Sequence, residues 1–251
     1  MSDSGLASNE AMKNANPAQE KKEERKRRGF FWWWLLAIFI AFLLVVLISG
    51  AAFLAMSYLW QPGKAEVEKQ RVDNAFIFPV EGVDAAGRRA AFDFIILTNE
   101  FTWVKGSTFQ VESKGQIIAD EAVVQQVISA DIRNALTNAR ELIAVGLASQ
   151  EGEQAAEEQR AARRSRTVLG WMLLLADAEK PLWRLNLGQY SKACQSQEDA
   201  DTSFQRPLIL ATVREKDGET NLAEALANAI SGKANLPSRE CYSRFDLLKA
   251  R

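Results

Sequence analysis

No charged residue occurs in residues 29–63, and the middle of that run reads LLAIFIAFLLVVLISGAAFLAMSYLW without a break. With about 1.5 Å of helical rise per residue and a hydrocarbon layer of roughly 30 Å, around 20 such residues span a bilayer. Lipid offers the backbone no hydrogen-bond partner, so a segment of this kind must be helical. Phe30 to Trp34 at one end and Tyr58 with Trp60 at the other suit the two interfaces, where amphipathic rings settle. A cleaved secretory leader is the nearest rival, because the small residues from Ser49 to Ala52 imitate a processing site. The apolar core of such a leader is roughly 7 to 15 residues, which this run far exceeds.

Charge on the two flanks gives the span a direction. Residues 21–28 read KKEERKRR, whereas residues 64–73 balance three cations with three anions. Lys and Arg gather on the cytoplasmic side of a membrane helix, so the amino-terminal part is expected inside and the larger part outside. The expected division is a disordered cytoplasmic tail with its basic cluster (1–29), a transmembrane helix (30–60), a linker opened by Pro62 and Gly63 (61–74), and one exported domain (75–251). This is a single-pass, signal-anchor arrangement.

The two cysteines, Cys194 and Cys241, both lie beyond the span, and an even pair in an oxidising compartment favours a disulfide. Histidine is absent, which removes Ser-His and Cys-His nucleophilic systems and most catalytic zinc sites. No glycine-rich phosphate loop is present either. Paired carboxylates such as Glu151 and Glu153 sit among many other acids and read as a solvated face, so no enzyme, metal or cofactor is expected. A formal net charge of -1 argues against nucleic acid as a partner. The span holds no ionisable group of the kind that carries protons, while Ser49 and Ser57 leave contact with another membrane protein open.

Beyond the linker, residues 92–98 (FDFIILT) and 101–104 have the aromatic and β-branched content of strands, with a turn expected over 81–89. Val124, Val127, Ile128, Ile132 and Leu136 fall on one helical face, predicting a helix over 120–138. Residues 141–147 (ELIAVGL) read as a buried strand, and 153–178 as a helix lined by Ala161, Ser165, Val168, Met172 and Leu175. Residues 182–188 alternate with period two, and 207–213 (PLILATV) form the last expected strand. Asn221, with Glu224 three residues on, opens a final helix that buries Leu222, Leu226, Ala229 and Ile230. The alternation implies an α/β fold with helices against one mixed sheet and a parallel crossover.

From Leu142 the chain reads LIAVGLASQEGEQAAEEQRAARRSRTVLGWM. This resembles the signature of the OmpA/MotB-type peptidoglycan-binding domain, a strand ending in a G-H-T-D-x-x-G turn followed by a helix carrying N-x-x-L-S-x-x-R-A-x-x-V. The strand ELIAV, Gly146 and Gly152 match, as do Arg164, fifteen residues after the turn's fourth position, and Val168 four further on. Gln205, Arg206 and Pro207 before the last strand are similar to the family's N-R-R-V-E-I run. The resemblance covers residues 101–213 and implies a βαβαββ sandwich with one mixed sheet, followed here by a carboxyl-terminal helix.

In that family the arginine at Arg164 and an aspartate at the position of Ser149 clasp the charged ends of diaminopimelate in the peptide stem. A planar guanidinium fork suits a carboxylate, and an anion suits the ammonium. This sequence has Ser149 for the aspartate, Leu147 for the histidine and Glu157 for the asparagine, leaving Glu151 or Glu157 to supply the anion. Read without the resemblance, Arg160, Arg163, Arg164 and Arg166 form a solvated helix face opposed by Glu153, Glu157 and Glu158, in pairs worth about 0.2–0.5 kcal/mol each. With it, the implied ligand-binding set is Arg164, Ser149, Gly146, Gly152 and Glu157. The expectation is a binding protein of a bacterial inner membrane whose periplasmic domain attaches to or senses peptidoglycan. The alternative is an OmpA-like interaction subunit of an envelope complex that binds no peptidoglycan. Membrane lipid, the stem peptide and another membrane protein are the expected partners.

Overall fold

The computed structural model describes residues 66–175, 179–194, 202–233 and 235–251, together with Trp33, Phe39, Ile40, Phe42, Leu43, Leu44 and Val46. The chain divides into two compact units, Met1–Gly63 and Lys64–Arg251. In the first, those seven residues are helical and exposed. The segment expected as a cytoplasmic tail (1–29), all but those seven residues of the expected transmembrane helix (30–60), and residues 61–65 of the expected linker lie outside the described residues. No helix among the described residues is long and apolar enough to cross a membrane.

The second unit opens with the strands β1 (Gln70–Val72), β2 (Ala75–Val83) and β3 (Arg89–Leu97), then β4 (Phe101–Trp103), β5 (Gln110–Ser113) and β6 (Gln116–Ala119). Two short helices, α1 (Glu121–Gln126) and α2 (Ala130–Asn138), lead to β7 (Glu141–Ala148), the long α3 (Gln154–Leu175) and β8 (Leu182–Gln189). The chain ends with β9 (Ile209–Lys216), α4 (Leu222–Ile230) and β10 (Asp246–Lys249). Seven strands form one mixed sheet in the order β1-β2-β3-β9-β7-β8-β10, and β4-β5-β6 form a small second sheet. Within the large sheet β7 and β8 are parallel, joined by α3, and the other neighbours are antiparallel.

β7 is buried at all eight positions because both faces of the sheet are covered. Leu142 and Ala144 turn toward a core shared with α1, α2, α3, Trp103 and Val111. Ile143, Val145 and Leu147 turn the other way, toward Phe92, Phe94 and the apolar side of α4. Helices thus lie on both faces. The two long contacts are made close by glycine: a Cβ on Gly146 would stand 2.0 Å from the Ala161 carbonyl oxygen of α3, and one on Gly82 would stand 2.0 Å from that of Ala225 on α4. Backbone approaches of that kind exclude any larger residue.

The α/β class and the mixed sheet agree with the sequence, and so does the Cys194–Cys241 disulfide, whose Cα atoms are 5.5 Å apart. Several elements differ. Gln70–Val72, read as linker, pair with β2, and residues 75–80, left without an assignment, join 81–83, expected in a turn, as the first strand of a hairpin whose turn is confined to 84–88. The single helix expected over 120–138 is broken, because the Ser129 hydroxyl accepts from the Ile132 amide and starts α2 afresh. Asn74 fastens the break by donating to the Val127 carbonyl at 2.7 Å. A serine that satisfies a free helix amide competes with helix continuation. Asn221 does cap α4, accepting from Ala223 and Glu224 amides, but Glu224 reaches across to the Ala85 amide instead of closing a reciprocal box.

Candidate ligand-binding site

The residues singled out by sequence meet at the carboxyl end of β7. Gly146 sits under α3, Ser149 is 5% exposed on the turn that follows, and Gly152 closes that turn. A Cβ on Gly152 would stand 2.1 Å from a carboxylate oxygen of Glu157, so the glycine makes room for a side chain folded back over the turn. Glu157 is 3% exposed and pairs with Arg160, one turn further along α3. Its second oxygen, Oε2, has no hydrogen-bond partner among the described residues.

Arg164 points inward and is 1% exposed. Its guanidinium donates to the carbonyls of Leu147 at 2.9 Å, Ser107 at 3.0 Å and Val104 at 3.3 Å. The same group lies over the Trp103 ring at 5.1 Å, and Trp103 stacks on Trp171 of α3. Two of the three acceptors belong to the turn between β4 and β5, where Gly106 takes a positive φ and Ser107 donates back to Val104. That turn closes over the arginine. Burial pulls the guanidinium pKa down to about 9, Arg160 and Arg206 push the same way, and Glu157 opposes them. At neutral pH the group is therefore a charged, desolvated cation held by carbonyl dipoles and an aromatic face.

Around this centre are groups that the motif did not point to. Lys105, on the closing turn, pairs with Glu151 at 3.2 Å, and the Thr202 hydroxyl donates to the same carboxylate. The Glu151 pKa is lowered first by that hydroxyl and then by Lys105 and Arg206, against the opposing effect of burial. Arg206 is 9% exposed and donates to the Trp103 carbonyl at 2.7 Å, while Trp103 donates its amide to the Arg206 carbonyl at 2.9 Å. Gln205 accepts from the Gln150 amide at 3.0 Å, tying the segment before β9 to the turn after β7. The small sheet is thereby bolted to the large one across the proposed clasp. Hydrogen bonds to main-chain carbonyls carry no residue-type signature, and of these surrounding groups the Gln205-Arg206-Pro207 run gave a sequence signal, as did Glu151 as a candidate anion.

A cavity of about 560 Å3 lies beside the turn, lined by Gln150, Glu151, Gly152 and Gln154 on one side and by Lys192 and Glu240 on the other. Ser149, Glu157 and Arg164 do not line it. Structure thus brings the five expected residues together but faces Arg164 onto the protein's own backbone and separates it from this opening. Among the described residues, no group of three or more His, Cys, Asp or Glu is arranged to hold a metal ion. Comparison with family models, with curated proteins and with solved structures finds no match for this chain.

Proposed function

We propose that the chain is a membrane-anchored, exported module of OmpA/MotB type that works by binding proteins within a bacterial envelope assembly, without enzymatic turnover and without clasping peptidoglycan. Support for the fold reading comes from the order β3-β9-β7-β8, with a parallel β7–β8 pair joined by α3 and an antiparallel β9 beside β7. Support for the anchor comes from the uncharged run and its basic flank, and the disulfide suits an exported domain.

The observation that carries the functional reading is the environment of Arg164. A stem-peptide carboxylate would need the guanidinium that the carbonyls of Val104, Ser107 and Leu147 already engage, and Ser149 brings no charge for the ammonium. Cosedimentation of the full chain, held in lipid nanodiscs, with purified sacculi tests this. The protein is expected to remain in the supernatant. Saturable retention on sacculi would overturn the reading and restore peptidoglycan attachment through the turn at 146–152.

A further inference from the structure

A second opening, about 350 Å3, lies at the same end of the sheet but on the α4 face, remote in character from the charged cluster around Arg164. Its floor is aliphatic, from Ile96 on β3, Ile209 on β9 and Leu236. Its wall is aromatic: Tyr190 meets Phe204 and Tyr242 edge to face, with centroids 6.0 and 5.4 Å apart. This wall is fixed in place. The disulfide forms part of the lining, Tyr190 pairs with Tyr242 as a β-bridge and donates its hydroxyl to the Cys194 carbonyl, and Ser191 donates to that of Cys241. Phe204 is nevertheless 38% exposed at the mouth, an aromatic face open to solvent.

Lys233 is the one charged side chain in the lining, and among the described residues no acid pairs with it. The nearest acid along the chain, Glu240, is taken by the hydroxyls of Ser231 and Ser238. An aliphatic floor and an aromatic wall beside a cation that no described acid neutralises suit an apolar group that carries its own carboxylate. Tyr190 and Tyr242 also border the 560 Å3 cleft, whose lining from Gln154, Gln189, Lys192 and Ser243 is polar and suits an extended main chain.

We propose that this pocket receives the carboxyl-terminal residue of a partner protein, aromatic or large aliphatic, with its terminal carboxylate on Lys233 and the preceding residues crossing the two tyrosines. The proposal rests on the protein-binding reading above and names the site and the chemistry of that partner's end.

The test uses the full chain in lipid nanodiscs, because free detergent would compete for an apolar pocket, and titrates three short probes calorimetrically. These are acetyl-Ala-Ala-Phe with a free carboxylate, its amide, and acetyl-Ala-Phe-Asp-amide. The free acid is expected to bind saturably and about tenfold more tightly than either amide. Lys233→Gln is expected to abolish that difference, and Phe204→Ala, at an exposed position, to weaken the free acid as well. Absence of saturable binding by the free acid, indifference to both substitutions, or equal binding of the internal aspartate probe would each overturn the proposal. Sacculus retention would strike the parent reading, whereas failure of these probes with no sacculus retention strikes this pocket alone.

Discussion

Two helices lie on opposite faces of one sheet, each pressed onto a glycine, yet groups of opposite charge secure them. On the α4 side the fastener is Asp84, which is 4% exposed and accepts from the amides of Ala86 and Arg88, from the Arg88 guanidinium and from the amide of Asn221 at the helix start. On the α3 side it is Arg164, which donates to carbonyls. Burial would raise the Asp84 pKa, but the amides of Asn221 and Arg88 and the Arg88 guanidinium outweigh it and hold the carboxyl at about 2. Burial dominates at Arg164 and takes its pKa the other way, down toward loss of charge. Amide donors and an ion partner stabilise the charge of the first group more than burial opposes it; the second keeps its charge against desolvation. One fastener therefore yields to acid, and the other is insensitive to pH between the carboxylate and the amine ranges.

Removing the buried cation tests this contrast most severely. Arg164→Met removes the guanidinium from three buried carbonyls, of which that of Val104 keeps the Ser107 amide, and uncovers the Trp103 ring, and a stability loss of about 3–5 kcal/mol is expected in chemical denaturation of the full chain. A loss below about 1 kcal/mol, the size expected of an ordinary exposed pair, would show that the guanidinium does not hold α3. Alanine at the two glycines should cost less, about 1–3 kcal/mol each by overpacking. Of the two, Gly146→Ala is expected to be the worse, since α3 has 22 residues lying on both β7 and β8, while α4 has 9 and can tilt. Equal losses would mean that helix length does not set how far each contact can yield.

Acid should separate the two sides with the smallest effect. Asp84 titrates near 3.8 when unfolded and near 2 when folded, so between those values the unfolded chain binds more protons. Its contribution is complete above about 3.8 and disappears as the pH falls toward about 2. Denaturation midpoints measured across that window should fall for the natural chain and run flatter for Asp84→Asn, with Arg164→Met keeping the natural slope. A natural chain whose midpoint is constant through the window would remove Asp84 from this role.

Much of the framework was legible because burial leaves a period in the sequence. The apolar run at 142–147, after Glu141, marked a buried strand, and the alternation at 182–188 marked the strand that proves to be its parallel neighbour. Asn221 declared the start of α4, and two cysteines beyond the charged flank declared their bridge. The break in the predicted helix at Ser129 was not legible, because Val127 and Ile128 keep the apolar period across it and are only 0% and 2% exposed. Likewise, a run of arginines among glutamates on α3 resembles a solvated surface. Its third member, Arg164, is the one at the helix–sheet contact; the family resemblance singled it out, and it stands three residues after Ala161 and four before Val168, but its charge suggested a solvated face or a ligand clasp, not a buried fastener.

What the sequence determined by itself is local: where the chain is helical, where it is extended, and which faces of those elements are apolar. Each of these follows from residues a few positions apart. Tertiary structure decided that the turn at 104–107 closes over Arg164, and that Tyr190, Phe204 and Tyr242 meet around a pocket beside the disulfide. The physical reason is that an arginine's role depends on which acceptors reach it. Here they are backbone carbonyls, identical in every residue type; two of the three, those of Val104 and Ser107, lie about sixty residues away in the chain and reach it only once the small sheet is folded against the large one.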